Sequence, residues 1–523
     1  MHTQKKYSHF ILLSMVLIYL ALQWMTLTIF PYVHSDEAWL SGFSRTVLDQ
    51  GTFKLSEPFF DLYPRAIHGL RVVFVSLQML FIRVFGYSIT SMRSLSLLVS
   101  MTTLGILCVY FYRRSKSPVR ALLLLGLLAL SSQFLMMSHV ARQEPMILLG
   151  MVLAYTLTQK KATSANTLLT ASLIGICIGV HPNSFLIACG IGLIYLYQVY
   201  SKKRTLSSLL LFIVTLALWA LAFVGISLII NPDFIHDYLA FGSQLGVVDY
   251  HIGRFQGFYY YYYKLWQQIG GTYYLVNIRY DLTAMLLALL LGLGTWIKGH
   301  KKENMSPMVS AFLLLVGVNI GLLIIGRYNQ TAIIFPITAA WLMLAEWVMT
   351  LEPSRHPPWT HSTNRGIAAL LIVLLCLQGF NLYKTLDGIH HQDYDAFGER
   401  ITAVMPPDAK VLGNLNLDYH LNLYQLYDIR NLDYLDEHHL NIGTYIEERH
   451  IQYVVLYDEM QYIADSGGKW SMLYGDLNYY EDLCRYLEEH GQLIDTVEAP
   501  TYAMRIAKYV DVYPWSAQVY KLK

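Results

Sequence analysis

The chain has 523 residues, of which 55% are hydrophobic and only 14% charged, with a mean hydropathy of +0.38. Soluble globular proteins carry about 25% charged residues, so this composition excludes a disordered protein, a secreted disulfide scaffold and a nucleic-acid binder. The formal net charge of +2 hides a division: from residue 387 onward there are 10 Lys+Arg against 23 Asp+Glu, and in the remainder 28 against 13. A basic, apolar body is joined to an acidic, water-soluble tail, which sets the expected domains at 1–386 and 387–523. The five cysteines, Cys108, Cys177, Cys189, Cys376 and Cys484, fall at no metal-ligand or CxxC spacing, so neither a disulfide framework nor a zinc site is expected.

A bilayer core needs roughly 20 apolar residues per helix. The first such run, Phe10 to Phe30, follows Lys5 and Lys6 and has no small-residue cleavage site, so it reads as an uncleaved anchor. An outer segment of 31–90 comes next. Its second half, Ala66 to Phe85, is apolar but broken by Arg71 and Arg83, and is expected to lie along the membrane interface. Further spans are expected to begin near residues 91, 121, 145, 166, 184, 206, 279, 307, 331 and 367, giving about eleven. Between them, the segment 231–277 carries Phe258 followed by Tyr259 to Tyr263, then Trp266, Tyr273 and Tyr274. Such a run suits either an aromatic belt at the headgroups or a cover over a lipid site.

Charge tests this topology. Counting from an inner N-terminus, the inner connections hold 16 cations, among them Arg113, Arg114, Lys202, Lys203 and Arg204, against only Glu303 and Glu352. The positive-inside rule is satisfied throughout, and the tail is thereby placed outside, as an extracytoplasmic domain of a multi-pass cell-membrane protein with a cytoplasmic N-terminus. In that tail, Lys410–Leu415, Tyr453–Tyr457 and Tyr502–Tyr509 read as strands, and Asp395–Met405, Asn441–His450 and Tyr479–Gly491 as helices. The fold class expected is a polytopic all-α membrane protein with a C-terminal α/β domain, whose many carboxylates read as a solvated face.

Acids at a membrane interface are costly and mark function. Asp36 and Glu37 stand directly after the first span, in His34-Ser35-Asp36-Glu37-Ala38-Trp39. Either would also cap a helix N-terminus, and either is able to act as a general base. Glu144 lies in Ala141-Arg142-Gln143-Glu144-Pro145, where one span turns into the next on the same side; Pro145 makes a favourable N-terminal charge its alternative role. Cations on that side, Arg65, His68, Arg71, Arg142, His181, Arg254 and Arg327, suit a phosphate-bearing ligand. Taken singly, they also suit lipid headgroups or neighbouring acids.

The order of these features resembles the membrane-embedded GT-C glycosyltransferases. It is most similar to the superfamily of protein O-mannosyltransferases and the lipid A aminoarabinose transferase. The resemblance is carried by the Asp36-Glu37 pair after the first span and by the interfacial segment ending Leu80-Phe81-Ile82-Arg83-Val84-Phe85-Gly86. Arg93, the Ala141-to-Glu144 turn, and Arg327-Tyr328 ahead of Pro336 extend it to residues 8–350.

It implies a polyprenyl-phosphate sugar donor, a lipid, protein or polysaccharide acceptor and an inverting transfer. It further implies Asp36 as catalytic base, Glu144 as the second acid, and Glu37, His68, Arg71, Arg142, His181, Arg327 and Tyr328 as substrate contacts. The second acid is usually Asp in the family, and His68-Gly69-Leu70-Arg71 stands where relatives carry a Lys-Pro or His-Pro-Pro element. No cofactor is implied; a divalent ion occurs in some GT-C enzymes but not in the protein-mannosylating branch. A lipid-linked glycan flippase, or a glycan ligase or polymerase of the same topology, is the competing reading. The absence of evident inverted repeats disfavours transport.

Overall fold

Helix starts in this chain are written in hydroxyl side chains. In the computed structural model, which describes residues 2–63, 69–244, 253–269, 276–299, 307–326, 328–350, 359–387, 394–465, 477–498 and 515–523, Ser88, Ser117, Thr163 and Thr205 each accept a backbone N–H of the first turn of a helix. The helices of the body are α1 (His2–Met25), α2 (Ser35–Gln50), α3 (Val72–Phe85), α4 (Ile89–Ser115), α5 (Pro118–Ala129), α6 (Ser132–His139), α7 (Glu144–Thr158) and α8 (Ser164–Ile178). They continue with α9 (Ser184–Tyr200), α10 (Leu206–Ile230), α11 (Phe234–Gln244), α12 (Arg254–Trp266), α13 (Arg279–Gly299), α14 (Pro307–Ile325), α15 (Ile334–Thr350) and α16 (Trp359–Asp387).

Among the described residues five helices are long and apolar enough to cross a membrane, and α5 with α6, bent by 75° at their junction, have the length and composition of a sixth when taken together. The bend has a local cause: Ser131 caps a new helix by accepting the Phe134 N–H, so the chain restarts instead of continuing. Shorter apolar stretches are Ser14–Met25 of α1 and the helices α7, α8 and α9, the last three at 15, 15 and 17 residues. This is a multi-pass membrane protein. α15 is buried along nearly its whole length and forms the centre of the bundle, whereas α10 turns most of its apolar side chains outward.

Two buried carboxylates inside the bundle are well partnered, as burial of a charge requires. Asp281 accepts from Trp341 Nε1 at 2.8 Å, Gln378 Nε2 at 3.0 Å and Ser131 Oγ at 3.1 Å. At the end of the bundle away from the C-terminal domain, Glu346 pairs with Arg114 and accepts from Tyr110 and, at 3.2 Å, from Tyr155.

The tail folds around a five-stranded sheet of order β2-β1-β3-β5-β4, with β1 (Val411–Gly413), β2 (Leu426–Asp428), β3 (Tyr453–Tyr457), β4 (Gly491–Glu498) and β5 (Ser516–Leu522). β1 runs parallel to β2 and β3, while β5 is antiparallel to both β3 and β4. Helices α17 (Tyr394–Thr402), α18 (Ile442–Arg449), α19 (Asp458–Asp465) and α20 (Tyr480–His490) surround it. α17, α18, α20, β1 and β3 fall where the sequence pattern places helix and strand; Tyr502–Tyr509 lies outside the described residues. The carboxylates do not all face solvent. Asp418, Asp428 and Glu459 are buried, and Asp428 is forked by Arg430 with Nε at 2.7 Å.

The tail shares one core with the first outer segment. Val33, Ala38, Phe59, Phe60, Leu62, Ile82 and Met92 join Leu417, Ile429, Leu432 and Tyr445 in a single buried cluster. Polar contacts reinforce it. Asp61 accepts from Tyr445 at 2.8 Å and from Arg449 Nε at 2.5 Å, and Asn431 Nδ2 donates to the Phe59 carbonyl at 2.8 Å. Gly42 is where α2 comes closest: a Cβ there would stand 2.3 Å from the Phe59 ring and 2.9 Å from Asp418 Oδ2.

Candidate active site

The site is built from the first turn of α2 and the turn between α6 and α7. α2 begins in a reciprocal cap: His34 Nδ1 accepts the Asp36 N–H at 3.0 Å, and the Glu37 carboxylate accepts the His34 N–H at 2.9 Å. The two consecutive acids then meet two consecutive residues of the opposing turn. Asp36 Oδ2 takes Arg142 Nη1 at 2.6 Å, and Glu37 Oε2 takes the Ala141 N–H at 2.8 Å. Asp36 faces the open side, with its side chain 21% exposed.

Glu37 is fully buried, and Arg93 of α4 forks it with Nε at 2.9 Å and Nη2 at 2.8 Å while Nη1 holds the Leu27 carbonyl at 2.8 Å. The structure thus places Glu37 in a latch between α2, α4 and the 140–143 turn, with both oxygens engaged by the protein.

Arg142 also reaches Glu144, with Nη2 at 3.2 Å from Oε1 and Nε at 3.3 Å from Oε2. One guanidinium therefore lies between the two carboxylates named from the sequence. Glu144 is buried and takes a further hydrogen bond from Thr331 Oγ1 at 2.6 Å, whose backbone N–H is held by Asn329 Oδ1 at 3.0 Å. Among the described residues no group of three or more His, Cys, Asp or Glu comes together as a metal site.

Arg71 stands nearby, at the start of α3. Its guanidinium carbon is 4.8 Å from the centroid of the Trp39 ring. Burial presses the guanidinium below its ordinary range, and the negative charge of Glu57 opposes that shift most strongly. Tyr328 carries α12 against the bundle: its hydroxyl donates to the Arg254 carbonyl at 2.8 Å, and Tyr261 donates to the Asn329 carbonyl at 3.1 Å. The aromatic run of the sequence is therefore a helix docked on the residues that precede Thr331.

His181 sits in the turn after α8, where its Nδ1 accepts the Asn183 N–H at 3.1 Å; the same turn meets α3 through the Val73 N–H and the Gly179 carbonyl at 2.9 Å. His68 and Arg327 lie outside the described residues. The structure brings Asp36, Glu37, Arg142 and Glu144 into one network and sets Arg71 on the ring of Trp39. Sequence reasoning missed Thr331 and Glu57. Thr331 has a signal in hindsight, the Asn329-x-Thr331 start of a short 3-10 helix; Glu57 has none.

A second polar cluster joins α2 to the tail. Tyr87 donates to Asp418, Ser41 Oγ lies 2.7 Å from the Tyr419 hydroxyl, and Arg45 Nη1 donates to the Leu421 carbonyl at 3.1 Å. Burial pushes the Asp418 carboxyl up to about 6, against hydrogen bonding from Tyr87 and the charge of Arg45.

No protein-family model matches the sequence, and no curated protein does. Solved structures do. ArnT from Cupriavidus metallidurans bound to undecaprenyl phosphate superposes with a TM-score of 0.54 at 12% identity, covering 86% of this chain and 94% of that one. The same protein in its apo state gives 0.54 at 12%, covering 88% and 95%. The Archaeoglobus fulgidus oligosaccharyltransferase, in complex with zinc and sulfate, gives 0.48 at 13% identity, covering 94% of this chain and 72% of its own. The two ArnT structures establish the fold: the chain shares the GT-C fold of ArnT. The likeness to ArnT, the lipid A aminoarabinose transferase, is one of fold.

Proposed function

We propose that this chain is an integral-membrane glycosyltransferase. It takes a hexosyl or pentosyl group from a polyprenyl-phosphate donor and passes it to a hydroxyl acceptor, with Asp36 as general base. One observation carries the reading: of three acids gathered at one point, Glu37 and Glu144 are fully buried and Asp36 alone keeps exposed surface. A fold shared with a protein crystallised with undecaprenyl phosphate supports the donor class.

In the reaction, the acceptor O–H gives its proton to Asp36 and its oxygen bonds to the anomeric carbon. The bond from that carbon to the phosphate oxygen breaks, and the electron pair leaves with the lipid phosphate. Arg142 and Arg71 supply positive charge where the leaving phosphate gains negative charge. Attack opposite the leaving phosphate inverts the anomeric centre. Glu144 steadies Arg142, while His68, His181, Arg327 and Tyr328 remain proposed contacts to the lipid or sugar. We read eleven crossings: α1, α4, the bent α5–α6, α7 to α10 and α13 to α16. The N-terminus is then cytoplasmic, and the C-terminal domain with the site is extracytoplasmic.

The test is transfer or hydrolysis by the purified protein over a panel of polyprenyl-phosphate sugars. Wild type is expected to act on at least one donor, and Asp36→Asn to lose about 100-fold or more. Activity that survives Asp36→Asn would remove Asp36 as the base and move that role to Glu144. A folded wild type that acts on no donor would favour a flippase of lipid-linked glycans.

A further inference from the structure

One turn beyond Asp36, on the same helix, Trp39 meets two partners that the transfer step leaves unexplained. Its indole Nε1–H donates to Glu57 Oε1 at 2.5 Å, and Arg71 rests over its ring. Glu57 is only 6% exposed, and a carboxylate is buried at a cost unless its charge and lone pairs are answered. The Glu57 segment is held from outside as well: Asp428 N–H and Asn431 Nδ2 both donate to the Phe59 carbonyl, two residues on. The indole is therefore fixed at its N–H edge by a residue that the C-terminal domain holds in place.

A guanidinium stacked on an aromatic ring uses its face and keeps its in-plane N–H groups for other acceptors. Arg71 fits that description, because its Nε is buried and has no hydrogen-bond partner. In-plane guanidinium donors match phosphate oxygens.

We propose that Glu57 and Trp39 are positioning residues that hold Arg71 edge-on to the phosphate of the lipid donor. Glu57 fixes the indole, the indole carries the guanidinium by its face, and the Nε–H edge is left for a phosphate oxygen. This rests on the sugar-transfer reading above and adds two residues that act through a third.

The experiment measures binding of a short-chain isoprenyl phosphate, and of the matching isoprenyl alcohol, to the full-length protein in lipid nanodiscs. Trp39→Leu is expected to weaken the phosphate roughly tenfold and leave the alcohol unchanged. Trp39→Phe keeps the ring and loses the N–H, so its loss is smaller. Glu57→Gln keeps an acceptor for the indole and stays within about threefold. In an Arg71→Ala background Trp39→Leu adds nothing further, and in turnover Trp39→Leu lowers kcat/KM for the donor, a loss that is absent once Arg71 is already Ala.

Equal weakening of phosphate and alcohol overturns the proposal, as does the same tenfold loss in the Arg71→Ala background. Should Trp39→Leu fail to fold, the cycle of Trp39→Phe with Arg71→Ala decides in the same way. Wild type that binds the phosphate while Trp39→Leu binds it equally overturns the positioning roles alone. Wild type that binds neither ligand overturns the transfer reading with them.

Discussion

The buried pair of Glu37 and Arg93 gives the sharpest prediction, because its partners can be counted. Glu37 accepts four N–H groups, two from Arg93 and one each from His34 and Ala141, all between 2.8 and 2.9 Å, and both ionic side chains are fully buried. In Glu37→Gln one oxygen becomes NH2. Whichever way the amide turns, it faces one guanidinium N–H and one backbone N–H, so two donors are orphaned and the Arg93 charge is uncompensated. Breaking one side of a buried pair costs about 3–5 kcal/mol, and Arg93→Met is expected to cost the same.

The double variant Glu37→Gln/Arg93→Met removes the stranded charge, so its loss should fall short of the sum of the singles by about 2 kcal/mol or more. Unfolding of the detergent-solubilised protein, followed by denaturant titration, measures all four species. Single losses below about 1 kcal/mol, or additivity within about 0.5 kcal/mol, would refute the reasoning. The latch also has a kinetic consequence. Asp36 and Arg142 are the immediate neighbours of Glu37 and Ala141, so a loosened latch separates the ion pair at the site. Whatever folded Glu37→Gln remains should show a lower kcat; a folded variant with wild-type kcat would mean that Asp36 is placed by other contacts.

Three further outcomes are expected. Arg142→Lys replaces a fork that spans Asp36 and Glu144 by a single ammonium, so transfer should fall by about 10- to 100-fold, measured as kcat/KM. Asp418 binds its proton more tightly in the folded state, where its carboxyl is pushed up from 3.8 to about 6. It therefore favours folding below its ordinary range and loses about 3 kcal/mol of that contribution as pH rises from about 4 through about 6. Asp418→Asn should flatten this part of the stability–pH curve, read by thermal unfolding from pH 4 to 8, and an unchanged slope would count against it.

The parts of this fold that a reader can find in the sequence are those with local physical causes. The apolar runs mark helices because a bilayer core satisfies no backbone polar group, and the β-branched, aromatic run Tyr453–Tyr457 marks the buried central strand β3. What escaped were the pairings across hundreds of residues. Nothing near Asp418 says that it is buried against α2, or that Tyr87 reaches it, so an acidic tail read as a solvated surface. The domain boundary at 387 marks a real change of composition, yet the core continues across it from Val33 to Val519.

The fates of Asp36 and Glu37 show why this matters for chemistry. Successive residues on a helix are turned by about 100°, so adjacent acids cannot both face the open side of the site. Which one does depends on the rotation of α2, and the sequence makes the two interchangeable. The rotation is set by the reciprocal cap at His34, by Arg93 gripping Glu37, and on the far face by Ser41 against Tyr419 and Gly42 against Phe59 and Asp418. Two of the residues that fix it, Tyr419 and Asp418, belong to the C-terminal domain, so that domain helps determine which carboxylate faces the open side, even though none of its described residues joins the Asp36–Arg142–Glu144 network.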